Sequence, residues 1–245
     1  MSFTDEEVER YARHLVLREI GGAGQQALKA ARVLIVGAGG LGAPAALYLA
    51  AAGVGRIGLV DDDTVALSNL QRQVIYQAVD VGQSKVEAAS KALGALNPNV
   101  EIDLLNLRLS EANARELVRG WHVVLDGSDS FETRFAVNGA CVAEGKPLVS
   151  GAIGRWTGQV AVFRGRPCYR CLVPEVPPDA ETCAAVGVVG ALAGVIGSMM
   201  ALETIKLLTD AGQALAGRLF IFDALAGETR TVGIGADPAC PVCAL

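Results

Sequence analysis

Gly37, Gly39 and Gly42 have the spacing of a turn that binds nucleotide phosphates. They satisfy G-x-G-x-x-G and follow the aliphatic run 33–36, which is typical of a buried parallel strand. Such glycines let backbone N–H groups and the next helix N-terminus approach a phosphate. Asp61, about 20 residues further on, is suited to accept hydrogen bonds from a ribose. A mononucleotide or dinucleotide site is therefore predicted; the alternative is a turn that only packs a helix on a sheet.

A polar block follows the second predicted strand, at the edge where open α/β sheets bind ligands. Its candidate nucleotide ligands are Ser68, Asn69, Gln71 and Arg72. Lys85 begins a predicted helix, in a first turn where the helix dipole disfavours a cation. We expect Lys85 to have a role beyond helix stability, such as pairing with a triphosphate; a solvated lysine is the alternative.

A carboxylate cluster follows the predicted strand 122–125. Asp126 or Asp129 could hold a hard cation such as Mg²⁺, which binds through one or two carboxylates together with substrate phosphates. Asp129 or Ser130 could instead cap the helix that comes next. The two interpretations are compatible, because neighbouring residues can take the two roles.

Two C-x-x-C pairs, Cys168 with Cys171 and Cys240 with Cys243, could hold a metal. Four thiolates suit a closed, tetrahedral Zn²⁺ site, which would attach the C-terminal region to the body of the protein. Redox-active cysteine pairs are the main alternative.

The other two cysteines have different surroundings in the sequence. Cys141 lies in an apolar helical segment and is expected to be a core thiol. Cys183 lies in a polar, proline-rich loop before a long apolar segment. It is either a reactive thiol or an ordinary loop cysteine.

The elements that must position these residues alternate between strand and helix up to about residue 150. This alternation predicts a parallel sheet. Three later segments, 158–164, 218–223 and 229–234, have the pattern of antiparallel strands. We therefore predict an α/β, Rossmann-like fold with a mostly parallel sheet, an antiparallel extension and a zinc-stapled C-terminal region.

Composition excludes several classes of protein. The net charge of −5 provides no basic stripe for nucleic acid. The N-terminal sequence MSFTDEEVER is acidic, unlike a signal or transit peptide, so a cytoplasmic location is expected. Ala184–Leu202 is an uncharged run of 19 residues. Because it is rich in glycine and alanine and has no aromatic belt or basic flank, we expect a core or subunit-interface helix rather than a membrane span.

Taken together, these motifs resemble the HesA/MoeB/ThiF family, relatives of the ubiquitin-activating enzymes, and within it MoeB-like members. The motifs are Y-x-R-H in the first helix, GAGGLG, VDDDTVALSNLQRQ, VGQSK, DGSDS, CYRC, ETC-x-x-x-G and the last C-x-x-C. The resemblance implies ATP-dependent adenylation of the C-terminal Gly-Gly carboxylate of a small ubiquitin-like sulfur carrier, releasing pyrophosphate, for molybdopterin or thiamine biosynthesis. A separate sulfurtransferase or cysteine desulfurase is expected to supply the sulfur.

The resemblance also implies roles for single residues. Gly40 would back the nucleotide and Asp61 would bind ribose. The phosphates would be handled by Asn69, Arg72 and Lys85, with Mg²⁺ on Asp129. Arg13, which by spacing alone lies on a solvated helix face, would reach the partner's triphosphate across a homodimer interface. Cys183 would lie in a crossover loop above the carrier's tail, and it ranks below the others as a catalytic residue.

A single adenylation domain is expected over residues 1–245. Its parts would be N-terminal helices (1–30), a nucleotide-binding half (31–150) and a carrier-binding and zinc half (151–245). Two other functions remain as alternatives. An NAD-dependent oxidoreductase would share the glycine turn and Asp61 but would not need Arg72, Lys85 and Asp129 around a triphosphate. A scaffold could bind ATP and a ubiquitin-like protein without turnover.

Overall fold

The computed structural model describes residues 3–176 and 187–244, and this part of the chain contains an eight-stranded sheet. The strands are β1 (Arg32–Val36), β2 (Arg56–Val60), β3 (Glu101–Leu105), β4 (Val123–Asp126), β5 (Leu148–Gly154), β6 (Thr157–Phe163), β7 (Arg218–Asp223) and β8 (Glu228–Gly233). Their order across the sheet is β3-β2-β1-β4-β5-β6-β7-β8. The first five strands are parallel and the last three extend the sheet in antiparallel register. The predicted fold class is confirmed.

Helices connect the parallel strands and cover the sheet. They are α1 (Asp5–Arg10), α2 (Ala12–Leu15), α3 (Gly21–Ala30), α4 (Gly42–Ala51), α5 (Lys85–Leu96), α6 (Glu111–Arg119), α7 (Phe131–Ala143), α8 (Tyr169–Leu172) and α9 (Gly190–Thr209). Short 3-10 turns occur at Leu67–Asn69 and Ala78–Asp80.

The first helix begins as its sequence predicts. The Thr4 hydroxyl accepts from the Glu7 N–H, and the Glu7 carboxylate accepts from the Thr4 N–H, so the two residues form a capping box. The predicted continuous helix through His14 is interrupted at Tyr11, whose backbone leaves helical geometry. The Tyr11 ring is buried, and its hydroxyl accepts a hydrogen bond from the Asn97 side chain.

The central strands are hydrophobic on both faces because helices cover both faces. Every residue of β4 and all but the first of β1 are buried. One cluster of buried side chains joins β1 and α4 to Leu192, Ile196 and Met200 of α9. The last helix of the chain therefore completes the core that begins at β1.

Helix α9 corresponds to the long apolar run, but it begins at Gly190 and continues to Thr209. By length and composition alone this helix could cross a membrane. Of its apolar 18-residue stretch, 44% is buried inside the protein. It packs against α3, α4, β5 and β6. These contacts are those of a core helix, as predicted; residues 184–186 of the run lie outside the described residues.

Candidate active site

A cleft of about 590 Å³ opens at the carboxyl ends of β1, β2 and β4. Here the chain order of the sheet reverses, since β2 lies on one side of β1 and β4 on the other. Ligands of open α/β sheets bind at this topological position. The predicted residues that line it are Gly37, Gly39, Gly40, Asp61, Arg72, Lys85, Asp129 and Ser130.

The glycine turn is folded so tightly that side chains are excluded from it. Gly37 has φ +89°, a region that favours glycine. A Cβ on Gly42 would lie 1.8 Å from the Gly37 carbonyl oxygen, which is impossible. Ala38 is held from both sides, since its N–H donates to Asp61 at 2.8 Å and its carbonyl accepts from the buried Tyr76 hydroxyl at 2.7 Å. The turn is thus preformed for a ligand.

Asp61 and Lys85 lie together beside this turn. Lys85 Nζ is 2.6 Å from Asp63 Oδ2 and 3.8 Å from Asp61 Oδ1, and the lysine side chain is only 7% exposed. Burial raises the pKa of the Asp61 carboxyl; the Lys85 charge and the N–H groups of Asp63 and Ala38 oppose the rise. The unexpected lysine in the first turn of α5 is therefore explained by two carboxylates.

Of the two candidate caps, Ser130 and not Asp129 caps α7. The Ser130 side chain caps α7 by accepting from the Thr133 N–H at 3.4 Å. Asp129 is exposed on the cleft wall, where a cation could reach it. Asp126, the other candidate, is 1% exposed and accepts from the N–H and hydroxyl of Ser128.

Arg134 is a cleft residue that the sequence analysis missed. Its guanidinium lies 3.6 Å from Asp126 Oδ2 and also donates to the Ser128 carbonyl and to Ser150. Both partners of the ion pair are buried, with side-chain exposures of 8% and 1%. Arg134 therefore fixes the turn that carries Asp129 rather than offering a free charge. In the sequence, the one indication of this role is that Arg134 lies four residues after Ser130, in the helix that Ser130 caps.

The polar block 68–73 divides between ligand and support positions. Arg72 lines the cleft, and its Nη1 donates to the Ser68 carbonyl. The Asn69 side chain accepts from the Ala66 N–H and so closes a 3-10 turn. Ser68, Asn69 and Gln71 do not line the cleft; Ser68 and Asn69 shape the segment that places Arg72.

Gln73 also lines the cleft and was not among the predicted ligands. It is 4% exposed, and its Oε1 has no hydrogen-bond partner. A buried acceptor left without a donor costs about 1–3 kcal/mol. The buried, unpartnered oxygen of Gln73 therefore marks a candidate ligand-binding atom, and only the structure shows it.

Arg13 lies apart from the cleft of its own subunit. Arg13 is exposed on α2 and is not among the residues that line the cleft of this subunit. Cys183 lies outside the described residues.

The four cysteines of the two C-x-x-C pairs come together as the sequence predicts. Their sulfur atoms all lie within 4.8 Å of one another, with Sγ–Sγ distances of 3.6 Å for Cys168–Cys240 and 3.4 Å for Cys171–Cys243. A tetrahedral ion with Zn–S bonds of about 2.3 Å separates its sulfurs by about 3.8 Å. The donor set and spacing therefore fit Zn²⁺.

The thiols of this cluster have unequal proton affinities. Burial and the neighbouring thiols raise the pKa of Cys243. Burial also acts to raise the pKa of Cys240, but N–H groups of Cys243 and Val242 outweigh it and bring the pKa to about 7. A cation would relieve the repulsion that opposes forming four thiolates together.

The cysteine cluster is connected to the cleft through Asn138 on α7. Its Nδ2 donates to Cys168 Sγ at 3.6 Å, and its Oδ1 accepts from the Tyr169 N–H at 2.8 Å. Tyr169 lines the cleft, and Cys168 is the N-cap of its helix, α8. The metal-binding region thus helps to place one cleft wall.

A sequence model of the ThiF family matches residues 11–242. The chain belongs to the ThiF family. The sulfur carrier protein adenylyltransferase of Thermus thermophilus is 48% identical over 252 residues, covering 99% of this chain and 93% of that protein. The SAMP-activating enzyme E1 of Haloferax volcanii is 46% identical over 246 residues, covering 99% and 91%.

A further relative has a second activity in its name. The adenylyltransferase and sulfurtransferase MOCS3 of Anopheles gambiae is 46% identical over 244 residues, which cover 98% of this chain but 55% of that protein. The predicted family and enzyme class, adenylyltransferase, are confirmed by these relatives.

Solved structures confirm the fold. Escherichia coli MccB with MccA-N7isoASN has a TM-score of 0.87 at 21% identity, covering 100% of this chain and 76% of that one. PaaA has a TM-score of 0.82 at 24% identity, covering 95% and 75%. At these identities the likeness extends to the ThiF-type architecture alone.

The cleft of this ThiF-family chain meets the chemical requirements of ATP. The turn at Gly37 and Gly39 leaves room for phosphates, and Asp61 offers carboxylate oxygens for ribose hydroxyls. Arg72 and Lys85 bring positive charge to the same cleft. The glycine turn, the Asp61 carboxylate and the cations of Arg72 and Lys85 together fit a nucleoside triphosphate.

Proposed function

We propose that this protein uses ATP to adenylate the C-terminal carboxylate of a small, ubiquitin-like sulfur carrier. The observation that carries the proposal is that Arg72, Lys85 and Asp129 line the same cleft as the glycine turn. This phosphate-handling set is what a nicotinamide-dependent oxidoreductase would not need. The relatives named as sulfur carrier protein adenylyltransferase and SAMP-activating enzyme support this choice of substrate.

The proposed reaction needs positioning and charge neutralisation more than proton transfer. ATP supplies an α-phosphorus that the carrier's carboxylate attacks; a P–O bond forms and the bond to pyrophosphate breaks. The attacking group is already an anion, so no general base is required. In our proposal Arg72 and Lys85 neutralise the phosphates, and Asp129 would hold Mg²⁺, which would supply further positive charge to the phosphates.

Zinc has a structural role in this proposal. Cys168, Cys171, Cys240 and Cys243 would hold one Zn²⁺ with all four positions filled, as in closed structural sites. The ion would fix the C-terminal segment and α8, and through Tyr169 one wall of the cleft.

A homodimer would complete the site. Arg13 is exposed on α2, and the neighbouring apolar residues Val16 and Leu17 are 77% and 45% exposed. We propose that these residues face a second copy and that Arg13 reaches the partner's triphosphate. If so, mixing Arg13→Ala and Arg72→Ala chains should restore activity, because a mixed dimer keeps one site with both arginines.

The complementation has a clear readout. Each variant alone should be nearly inactive in ATP–pyrophosphate exchange, whereas an equal mixture should recover about a quarter of the wild-type sites after random subunit exchange, because half of the dimers are mixed and each has one intact site. A mixture no more active than its components would contradict the shared site. An Arg18→Ala chain, altered at another exposed arginine, serves as the matched control.

The carrier is proposed to serve molybdopterin or thiamine biosynthesis. A separate sulfurtransferase or cysteine desulfurase would then replace the adenylate with sulfur. The choice between the two pathways depends on which carrier docks.

ATP–pyrophosphate exchange with Mg²⁺ tests the function and names the carrier. Each small protein of the same cell that ends in Gly-Gly is added in turn. We expect exchange with one carrier, lost in Arg72→Ala and Asp129→Ala. ATP binding without exchange for any carrier would favour a scaffold, and tight NAD binding in place of ATP would favour an oxidoreductase.

A further inference from the structure

Gln73 carries a buried acceptor that the contacts of the chain leave unused. Within residues 3–176 and 187–244, Gln73 Oε1 and Ser84 Oγ are the buried side-chain polar atoms without a hydrogen-bond partner. Of these two residues, Gln73 lines the cleft. Its backbone is held in place, because its N–H donates to the Asn69 carbonyl at 2.9 Å.

The side chain of Gln73 lies beside Gly39 of the glycine turn. Its Nε2 is 3.4 Å from where a Cβ on Gly39 would be. The same construction on Gly40 meets Ala193 of α9 at 3.5 Å and the Arg72 side chain at 3.7 Å. Gln73 and its chain neighbour Arg72 therefore both lie beside the glycine turn, Gln73 at Gly39 and Arg72 at Gly40. The proposed ribose ligand Asp61 is instead bound to the N–H of Ala38.

The unused atom requires a hydrogen-bond donor. A triphosphate at neutral pH presents acceptors, so it does not satisfy a carbonyl oxygen. A peptide that enters the cleft brings N–H groups. The terminal torsion of a glutamine is broad, so Oε1 can turn toward such a group while the backbone stays in place.

We propose that Gln73 is a positioning residue for the acyl substrate: its Oε1 accepts a hydrogen bond from the last peptide N–H of the carrier's tail. This contact sets the terminal carboxylate beside the glycine turn, where the α-phosphate is expected. The inference rests on the proposed function and adds the recognition of one atom of the substrate. It also explains why the chain tolerates an unpartnered acceptor at this position.

The test combines a variant of the enzyme with a matched change in the substrate. Gln73→Met keeps the length of the side chain and removes the acceptor. A semisynthetic carrier with an ester in place of its last peptide bond removes the donor. Gln77→Met, four residues away on an exposed side chain outside the cleft, is the control.

Each change alone should lower kcat/KM for the carrier about tenfold, the effect of one hydrogen bond. Combining them should cause no further loss, because each removes the same contact. The Kd for Mg–ATP should stay unchanged. The thermal midpoint of Gln73→Met should not fall, since the variant removes an unsatisfied polar atom.

Three outcomes would overturn the inference. The losses of kcat/KM caused by the two changes could multiply, which would show that the two changes remove independent contacts. Gln73→Met could weaken Mg–ATP binding, which would make Gln73 a nucleotide or metal ligand. Its midpoint could fall with equal losses on both carriers, which would make it structural. Absence of exchange by the wild-type enzyme with every carrier would instead refute the proposed function itself.

Discussion

At the scale of single residues, local spacing predicted the glycine turn and Asp61 because both depend on neighbours along the chain. Arg134 and Gln73 were missed for the opposite reason. The ion pair of Arg134 joins α7 to Asp126 at the end of β4, and the burial of Gln73 depends on how its loop folds onto the turn. Asp129 and Ser130 were both proposed as caps, and only backbone geometry separates them.

Asp61 should make nucleotide binding sensitive to acid. Since burial raises its pKa above the ordinary value of 3.8, Asp61 takes up its proton at a higher pH than an exposed aspartate. A protonated carboxyl accepts ribose hydroxyls poorly, so the ATP Kd should rise as the pH falls through the raised pKa. Isothermal titration calorimetry at several pH values would measure this rise of the Kd at acid pH.

Asp61→Asn provides the comparison for that titration, because it subtracts the protonation of ATP itself. The variant should bind ATP weakly, and its ATP Kd should lack the rise at acid pH that the wild-type enzyme shows. The variant should also lack a pH dependence of stability. In the wild-type protein the free energy of unfolding should fall as the pH rises through the raised pKa of Asp61, because the buried carboxyl then becomes charged. The same rise of the ATP Kd at acid pH in both proteins would assign the effect to another group.

Arg134 should be more important for stability than its position in the cleft suggests. Arg134→Met leaves the Asp126 carboxylate, 1% exposed, without a cationic partner. Removing one partner of a buried pair costs about 3–5 kcal/mol. Urea unfolding should show this loss, and a much smaller one for Arg56→Met, whose pair with Asp103 is on the surface. Equal losses would contradict the buried pair.

At the scale of elements, hydrophobic runs predicted the late strands well because they are local signals. The predicted segment 218–223 matches β7 residue for residue, and the predicted segments 158–164 and 229–234 are each displaced by one residue from β6 and β8. Helix ends were less well predicted: α9 begins at Gly190, a position where a Cβ would meet the Gln71 carbonyl oxygen at 2.1 Å. Such contacts between distant segments are not visible in the sequence.

Two glycines of α9 should respond in opposite ways to the same substitution. A Cβ on Gly197 would lie 2.4 Å from Pro44 Cγ of α4, whereas a Cβ on Gly194 meets nothing within 4 Å. Gly197→Ala should lower the free energy of unfolding by about 1–3 kcal/mol through overpacking. Gly194→Ala should raise it by up to about 1 kcal/mol because alanine favours helix.

Chemical denaturation of both variants measures the difference directly. The pair is well matched, since both glycines lie in the same helix one turn apart. Two stabilising substitutions would show that α9 and α4 are not in close contact.

At the scale of the whole molecule, the topology follows partly from the sequence and partly from contacts across it. The strand–helix alternation predicted the parallel half, and the later strands predicted an antiparallel extension. The meeting of the two C-x-x-C pairs was predicted from metal chemistry rather than from spacing, since about 70 residues separate them. The close packing of α9 on α4 was not predicted.

Removing one ligand of the cysteine cluster should release the metal and destabilise the C-terminal region. We expect about one zinc per wild-type chain by elemental analysis, and little in Cys240→Ser. The variant should have a lower thermal midpoint and faster proteolysis near its C-terminus. Cys141→Ser, at a buried cysteine outside the cluster, should keep its zinc. A zinc-free wild-type protein with the same midpoint after chelation would contradict this role.

The position of α9 has a consequence for how the enzyme moves. This helix comes late in the chain, yet its side chains share one core with β1 and α4. Within residues 3–176 and 187–244, the segment that carries the glycine turn and helix α9 are thus joined by a common hydrophobic core. We therefore expect catalysis without domain closure. Small movements of side chains on a rigid core, of Lys85 away from Asp63 and of the Gln73 amide, would then be enough to position the substrates.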